Sequence, residues 1–212
     1  LRKSNGLVRD VVQERHMLKL KGHMGIGHVR YPTAGSEGAM ESQPFYVNSP
    51  YGLSIVHNGN LINARSLADE LHQTDLRHLN TSSDSEVLLN VFAHELAKQR
   101  EIYPTAKNIF KAVRKTHIRC DGAYAILALI TGYGIVAFRD INGIRPLSIG
   151  IRKGKKRDEY IIASEDALFV TLGFEKMRDI DPGEAIFIDK DGNLFSEQCA
   201  QETHIRPCIF EY

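Results

Sequence analysis

Tryptophan is absent from the 212 residues, and cysteine is confined to Cys120, Cys199 and Cys208. An odd count with no C-x-x-C spacing excludes a disulfide framework and a zinc site closed by cysteines alone. A reducing, cytoplasmic setting fits this usage. An excess of charge of one sign is missing too: 27 Lys and Arg face 26 Asp and Glu. No net field therefore draws the chain to nucleic acid or to an anionic membrane, although one arginine is enough to bind a small anion. Long apolar runs are lacking as well. The longest, Ala123 to Thr131, has the length of a buried strand and falls well short of the roughly 18 residues that a membrane span needs. No basic-then-apolar leader opens the chain, so nothing in it directs export. At 42% hydrophobic and 25% charged, the composition is that of a soluble globular protein, and the length suits one large domain.

The stretch that organises what is present is Gly25-Ile26-Gly27-His28-Val29-Arg30-Tyr31-Pro32-Thr33-Ala34-Gly35. Met24 to Arg30 reads as a short strand, ended because Pro32 cannot continue a ladder and Gly35 permits positive φ. Arg30 then stands at the mouth of a loop. Seven of the eleven residues from Thr33 to Gln43 are Gly, Ala, Ser or Thr. Side chains this small bury little surface, so the loop is expected to move and to fold over something. Arg30 is either a surface arginine beside an ordinary loop or a planar fork for a carboxylate or phosphate.

Along the chain, Val8, Val11 and Val12 have the spacing of a short amphipathic helix ending near Lys21-Gly22. Phe45–Val47 and Gly52–His57 read as paired strands joined through Asn48-Ser49-Pro50. The second strand runs into Asn58-Gly59. That dipeptide is either a tight hairpin turn or an oxyanion hole, in which a glycine N–H and a side-chain amide donate together. Asn63 to Gln73 is helical in composition, with Leu67, Ala68 and Leu71 on one face. Ser83 and Glu86 have capping-box spacing before the stripe Leu88, Phe92, Leu96. Asp84 then lies in a first helical turn, either complementing the helix dipole or holding a ligand's ammonium group. A further helix starts near Pro104 and carries Ile109, Phe110 and Val113. Strands follow at 123–130, 134–138, 146–150 and 160–163, joined by short Gly- and Asp-rich turns, which predicts an antiparallel meander. A short helix over 166–172 and a hairpin of 184–188 with 193–195 complete an α+β chain of two packed sheets covered by helices.

Four stretches resemble the glutaminase half of the amidophosphoribosyltransferase family: Gly27–Gly35, His57-Asn58-Gly59-Asn60-Leu61, Thr81–Glu86 and Phe138-Arg139-Asp140-Ile141-Asn142-Gly143-Ile144-Arg145-Pro146-Leu147. The resemblance covers essentially the whole chain, including Gln43-Pro44-Phe45, Asp181-Pro182-Gly183-Glu184 and the final Pro207–Tyr212. It implies an N-terminal-nucleophile hydrolase fold, an αββα sandwich of two antiparallel sheets between helical layers, with residues 1–212 forming one glutaminase domain truncated at both ends. Enzymes of this family hydrolyse glutamine and pass the ammonia to phosphoribosylpyrophosphate, making phosphoribosylamine in purine synthesis. Carried over residue by residue, the resemblance assigns Arg30 to the glutamine α-carboxylate, Asp84 to its α-ammonium, and Asn58 with Gly59 to the oxyanion.

The family's nucleophile is an N-terminal cysteine whose own amino group is the base, whereas this chain opens on Leu1-Arg2-Lys3-Ser4-Asn5-Gly6. That opening resembles an internal part of the family sequence. The nucleophile, the first strand and the transferase half are therefore expected outside these 212 residues, and the chain alone is expected to be inactive. Cys120 and Cys199 read as structural. Cys208 matches a position that ligates an iron–sulfur cluster in one branch of the family, so cluster content stays open and no metal site is assigned. Magnesium is expected with the transferase half, and a homo-oligomer for the complete enzyme, with no nucleic-acid or membrane partner. His28 and His57 flank the implied pocket and keep both a structural and a functional reading. Two alternatives stand beside this: a non-catalytic glutamine-binding domain, and the glutaminase of a glucosamine-6-phosphate synthase type enzyme, whose arginine motif carries the tryptophan that is lacking here.

Overall fold

The computed structural model describes residues 1–30 and 39–211. The small-residue loop expected over 33–43 therefore lies largely outside the described residues. In chain order the elements are α1 (Val8–Val11), α2 (Glu14–Met17), β1 (Phe45–Val47), β2 (Leu53–Leu61), α3 (Ala64–Gln73), α4 (Asp84–Ala97), α5 (Ala106–Arg119), β3 (Gly122–Ile130), β4 (Gly134–Arg139), β5 (Ser148–Arg152), β6 (Glu159–Ala163), α6 (Ala167–Thr171), β7 (Glu175–Asp179), β8 (Glu184–Asp189) and β9 (Leu194–Gln198).

Six strands form one antiparallel sheet in the order β1-β2-β3-β4-β8-β9, and three form another in the order β6-β5-β7. Alternation along each central strand decides which layer a side chain joins. On β3, Tyr124, Ile126, Ala128 and Ile130 meet the helices α3, α4 and α5, while Ala125 and Leu127 turn toward the smaller sheet. On β8, Ala185 and Phe187 face the helices and Ile186 the smaller sheet. A strand covered on both faces reads as a continuous apolar run, which is why 123–130 shows no polar alternation. The smaller sheet is covered on its outer side by α6, whose Phe169 packs where a Cβ on Gly150 would come within 2.8 Å. The order of layers is thus helices, sheet, sheet and a short helix, the αββα arrangement.

Several local expectations differ from what forms. Met24–Arg30 forms no strand among the described residues; Met24, Ile26 and His28 are half-buried, while Gly25, Gly27, Val29 and Arg30 are exposed. The N-terminal helix is instead two single turns burying nothing, broken where Val12 and Gln13 leave helical geometry. Without an apolar surface beneath it, a short β-branched segment does not sustain a longer helix. Ser83 is the N-cap of α4, yet no capping box closes. Glu86 turns away to accept hydrogen bonds from the main-chain and side-chain donors of Asn80 and Thr81. The meander holds only within the pairs β3–β4 and β5–β6, because β4 takes β8 as its second neighbour and β5 lies in the other sheet. β7, Glu-Lys-Met-Arg-Asp, carries no alternation to announce it; it is an exposed edge strand held by β5, and charge is what edges tolerate.

Candidate active site

Asn58-Gly59 forms no turn. β2 continues through it to Leu61, paired residue for residue with β3 from Leu53↔Ile130 to Leu61↔Gly122. Long-range pairing has overridden the local turn signal, and only glycine permits it. Gly59 has φ +142°, and a Cβ there would lie 1.9 Å from the Ala123 carbonyl oxygen.

The other edge of β2 is where the candidate residues meet. At His57 that edge is filled by the Gln43 side chain, whose Oε1 accepts from the His57 N–H at 2.7 Å and whose Nε2 donates to the His57 carbonyl at 3.1 Å. At Leu61 it is filled by Asp84, whose Oδ2 accepts from the Leu61 N–H at 2.9 Å. Donors on one edge of a strand alternate. Gly59, midway between these two residues, therefore turns its N–H to the same edge, and the half-buried Asn58 precedes it in the strand. Asp84 opens α4, so the helix N-terminus also favours negative charge at this spot. Its Oδ1 stands 3.9 Å from the His57 Nδ1 and 3.5 Å from the Ser85 hydroxyl.

His57 is buried and sets its Nδ1 2.9 Å from the Ser85 hydroxyl. Burial pushes its imidazole down to about 4, against the pull of the Asp84 carboxylate, so at neutral pH it is an uncharged spacer between β2 and α4. His28 lies within electrostatic range of His57, and burial followed by the charge of Arg30 lowers its own pKa. Arg30 itself is exposed, and the described residues resume after it at 39. The structure thus places Gly59 and Asp84 along one edge with Gln43, His57 and Ser85; Asn58 is the adjoining residue of β2, and Arg30 lies within electrostatic range of His28.

Behind the site, Arg139 and Asp140 are spent on the main chain. The Arg139 guanidinium donates to the carbonyls of Arg145, Gly143 and Ile180 at 2.6, 2.7 and 2.8 Å. The fully buried Asp140 accepts from the N–H groups of Tyr124, Asn142 and Ile144. Together they fold residues 140–147 into a fixed bridge between the sheets. The chain's last segment pairs along that bridge through His204, Arg206 and Cys208 N–H groups onto the carbonyls of Ile141, Asn142 and Ile144. Two polar residues at the end of an apolar strand were the sequence signal for this device, and their spacing alone did not disclose it.

The cysteines stand apart. Burial pushes the Cys120 thiol up to about 12 and the Cys199 thiol up to about 11, which suppresses the reactive thiolate of both. Cys208 is half-buried in the terminal segment. Among the described residues no three His, Cys, Asp or Glu side chains are grouped to hold a metal ion, and no helix is long and apolar enough to cross a membrane.

A family model described as a glutamine amidotransferase domain matches residues 28–171. The amidophosphoribosyltransferase of Pseudomonas aeruginosa is 58% identical over 212 residues, covering 100% of this chain and 42% of that protein. The Escherichia coli protein of the same name is 56% identical, and that of Schizosaccharomyces pombe 46%, again with 42% of each relative covered. The chain therefore spans about two fifths of the length of the curated relatives it matches. Among solved structures, a glutamine phosphoribosylpyrophosphate amidotransferase from B. subtilis, in complex with ADP and GMP, superposes with a TM-score of 0.78 at 33% identity. That match covers 96% of this chain and 41% of the other. A second, described as the allosteric regulatory enzyme of purine biosynthesis, gives 0.79 at 34%, with the same coverage. The matched family segment contains Arg30, the whole β2 edge with its glycine, and Asp84 at the head of α4, and on that match the chain belongs to the glutamine amidotransferase family.

Proposed function

We propose that the chain is the glutamine-hydrolysing part of an amidophosphoribosyltransferase. It cleaves the side-chain amide of glutamine and supplies the ammonia to phosphoribosylpyrophosphate bound by the remainder of that enzyme, giving phosphoribosylamine for purine synthesis. The observation that carries the reading is the Gly59 position on the β2 edge, which no side chain among the described residues fills. His57 is filled by Gln43 and Leu61 by Asp84, which leaves the Gly59 N–H between them, with Asn58 adjoining it in the strand.

The roles follow from charge. A thiolate supplied by an N-terminal cysteine attacks the amide carbon, and the carbonyl oxygen becomes an oxyanion that the Gly59 N–H and Asn58 Nδ2 receive. Asp84, next to that position, takes the α-ammonium, and Arg30 takes the α-carboxylate through two parallel hydrogen bonds. Ammonia leaves, and water releases glutamate from the thioester. Magnesium belongs to the phosphoribosyl-transferring part on this reading. A homo-oligomer and a cytoplasmic setting go with it, the latter supported by three free thiols.

The test uses the complete enzyme and two nitrogen donors. Asn58→Ala is expected to lower glutamine-dependent phosphoribosylamine formation by about 10²–10³ in kcat, and Asp84→Ala to raise KM for glutamine. Both are expected to leave the rate with free ammonia unchanged. Equal loss with both donors, or no loss with glutamine, would overturn the assignment. Binding of glutamine with no hydrolysis by the complete wild-type enzyme would favour a non-catalytic domain instead.

A further inference from the structure

The β1–β2 ladder pairs Val47 with Leu53, Tyr46 with Ser54 and Phe45 with Ile55. Two steps further, the same register sets position 43 opposite position 57. Pro44 has no N–H to extend the ladder, and the backbone pairing stops at Phe45. At that place the Gln43 side-chain amide accepts from the His57 N–H at 2.7 Å and donates to the His57 carbonyl at 3.1 Å, the exchange of two bonds that a paired strand residue makes. Its Nε2 also lies 3.3 Å from the Ser85 hydroxyl, and Ser85 in turn holds the His57 ring.

We propose that Gln43 is a positioning residue for glutamine hydrolysis: a side chain standing in for a missing strand residue, which fixes the peptide just before the oxyanion donors. The proposal rests on the function given above. Gln43 is one residue from Asn58 through His57, so a shift of that peptide moves both donors together. The segment before it is anchored independently. The Lys3 ammonium donates to the Met40 carbonyl at 3.1 Å, the Ser42 hydroxyl to Asn5 at 3.0 Å, and the Ser82 hydroxyl reaches Glu41 at 3.4 Å. Loss of the Gln43 amide therefore loosens the strand edge without releasing residues 40–42.

The experiment compares wild type, Gln43→Ala and Gln43→Glu in the complete enzyme, with glutamine and with ammonia. Oxyanion placement acts on the transition state, so kcat with glutamine is expected to fall about 10- to 100-fold in Gln43→Ala, with KM within about 3-fold and the ammonia rate unchanged. Gln43→Glu keeps an acceptor for the His57 N–H but sets a second acceptor against its carbonyl, and is expected to fall between the two. It also serves where Gln43→Ala does not fold. Wild-type kcat in either variant, or equal loss with both nitrogen donors, overturns the positioning role. A wild-type enzyme that uses only ammonia removes the functional reading itself and the role with it.

Discussion

At Gly59 a single hydrogen atom decides whether the site exists. Its φ of +142° and the Ala123 oxygen 1.9 Å from any added Cβ leave no room for a side chain. Gly59→Ala must push β2 away from β3, and a loss of about 2–4 kcal/mol is expected. Glutamine-dependent activity of the complete enzyme should disappear with it. Gly25→Ala is the contrast: nothing lies within 4 Å of a Cβ there, so apparent Tm should stay within about 2 °C. A thermal melt of both variants checks this, and equal stability of the two would show that the strand tolerates the extra atom. The sequence named Asn58, Gly59, Arg30 and Asp84 because motif and charge pointed to them. It could not disclose Gln43 as a strand substitute or Asp140 as a hub, because those roles arise only where distant main-chain donors converge.

Between elements, the bond that registers α5 against β3 is itself titratable. His117 sets its Nδ1 2.8 Å from the Tyr124 hydroxyl, and burial holds its imidazole down to about 4. The ring is neutral in the fold, whereas in the unfolded chain it takes a proton below about pH 6.5. The unfolded state thus binds more protons. Stability from this residue is complete above pH 6.5 and falls as the pH drops toward 4, by about 3 kcal/mol. Apparent Tm of the complete enzyme, followed from pH 7 to 4.5, should decline less steeply in His117→Gln. Parallel slopes would sink the attribution. Helices α3, α4 and α5 were legible because an apolar stripe at helical spacing survives folding unchanged. β7 was not, since an exposed edge strand needs no apolar side, and the N-terminal turns were over-read because spacing says nothing about whether a surface waits beneath.

For the molecule as a whole, none of the three cysteines is suited to act as the nucleophile. Two thiols are buried with raised pKa values, and the third is held in the terminal segment on the 140–147 bridge. A polypeptide of these 212 residues is therefore expected to release no glutamate from glutamine; turnover that persists after all three cysteines become alanine would refute the mechanism. Two sheets with helical cover were readable from the sequence, while the strand order was not, because pairing partners are chosen by burial across the whole chain. That order has a temporal side. The strand bearing Asn58 and Gly59 takes its shape from β3, yet α3, α4 and α5 are made between them. Closing so distant a pairing is slow compared with winding a helix. A nascent chain released from the ribosome only as far as Arg119 already holds Arg30, Gln43, Asn58, Gly59 and Asp84, and has as yet no template against which to lay them flat.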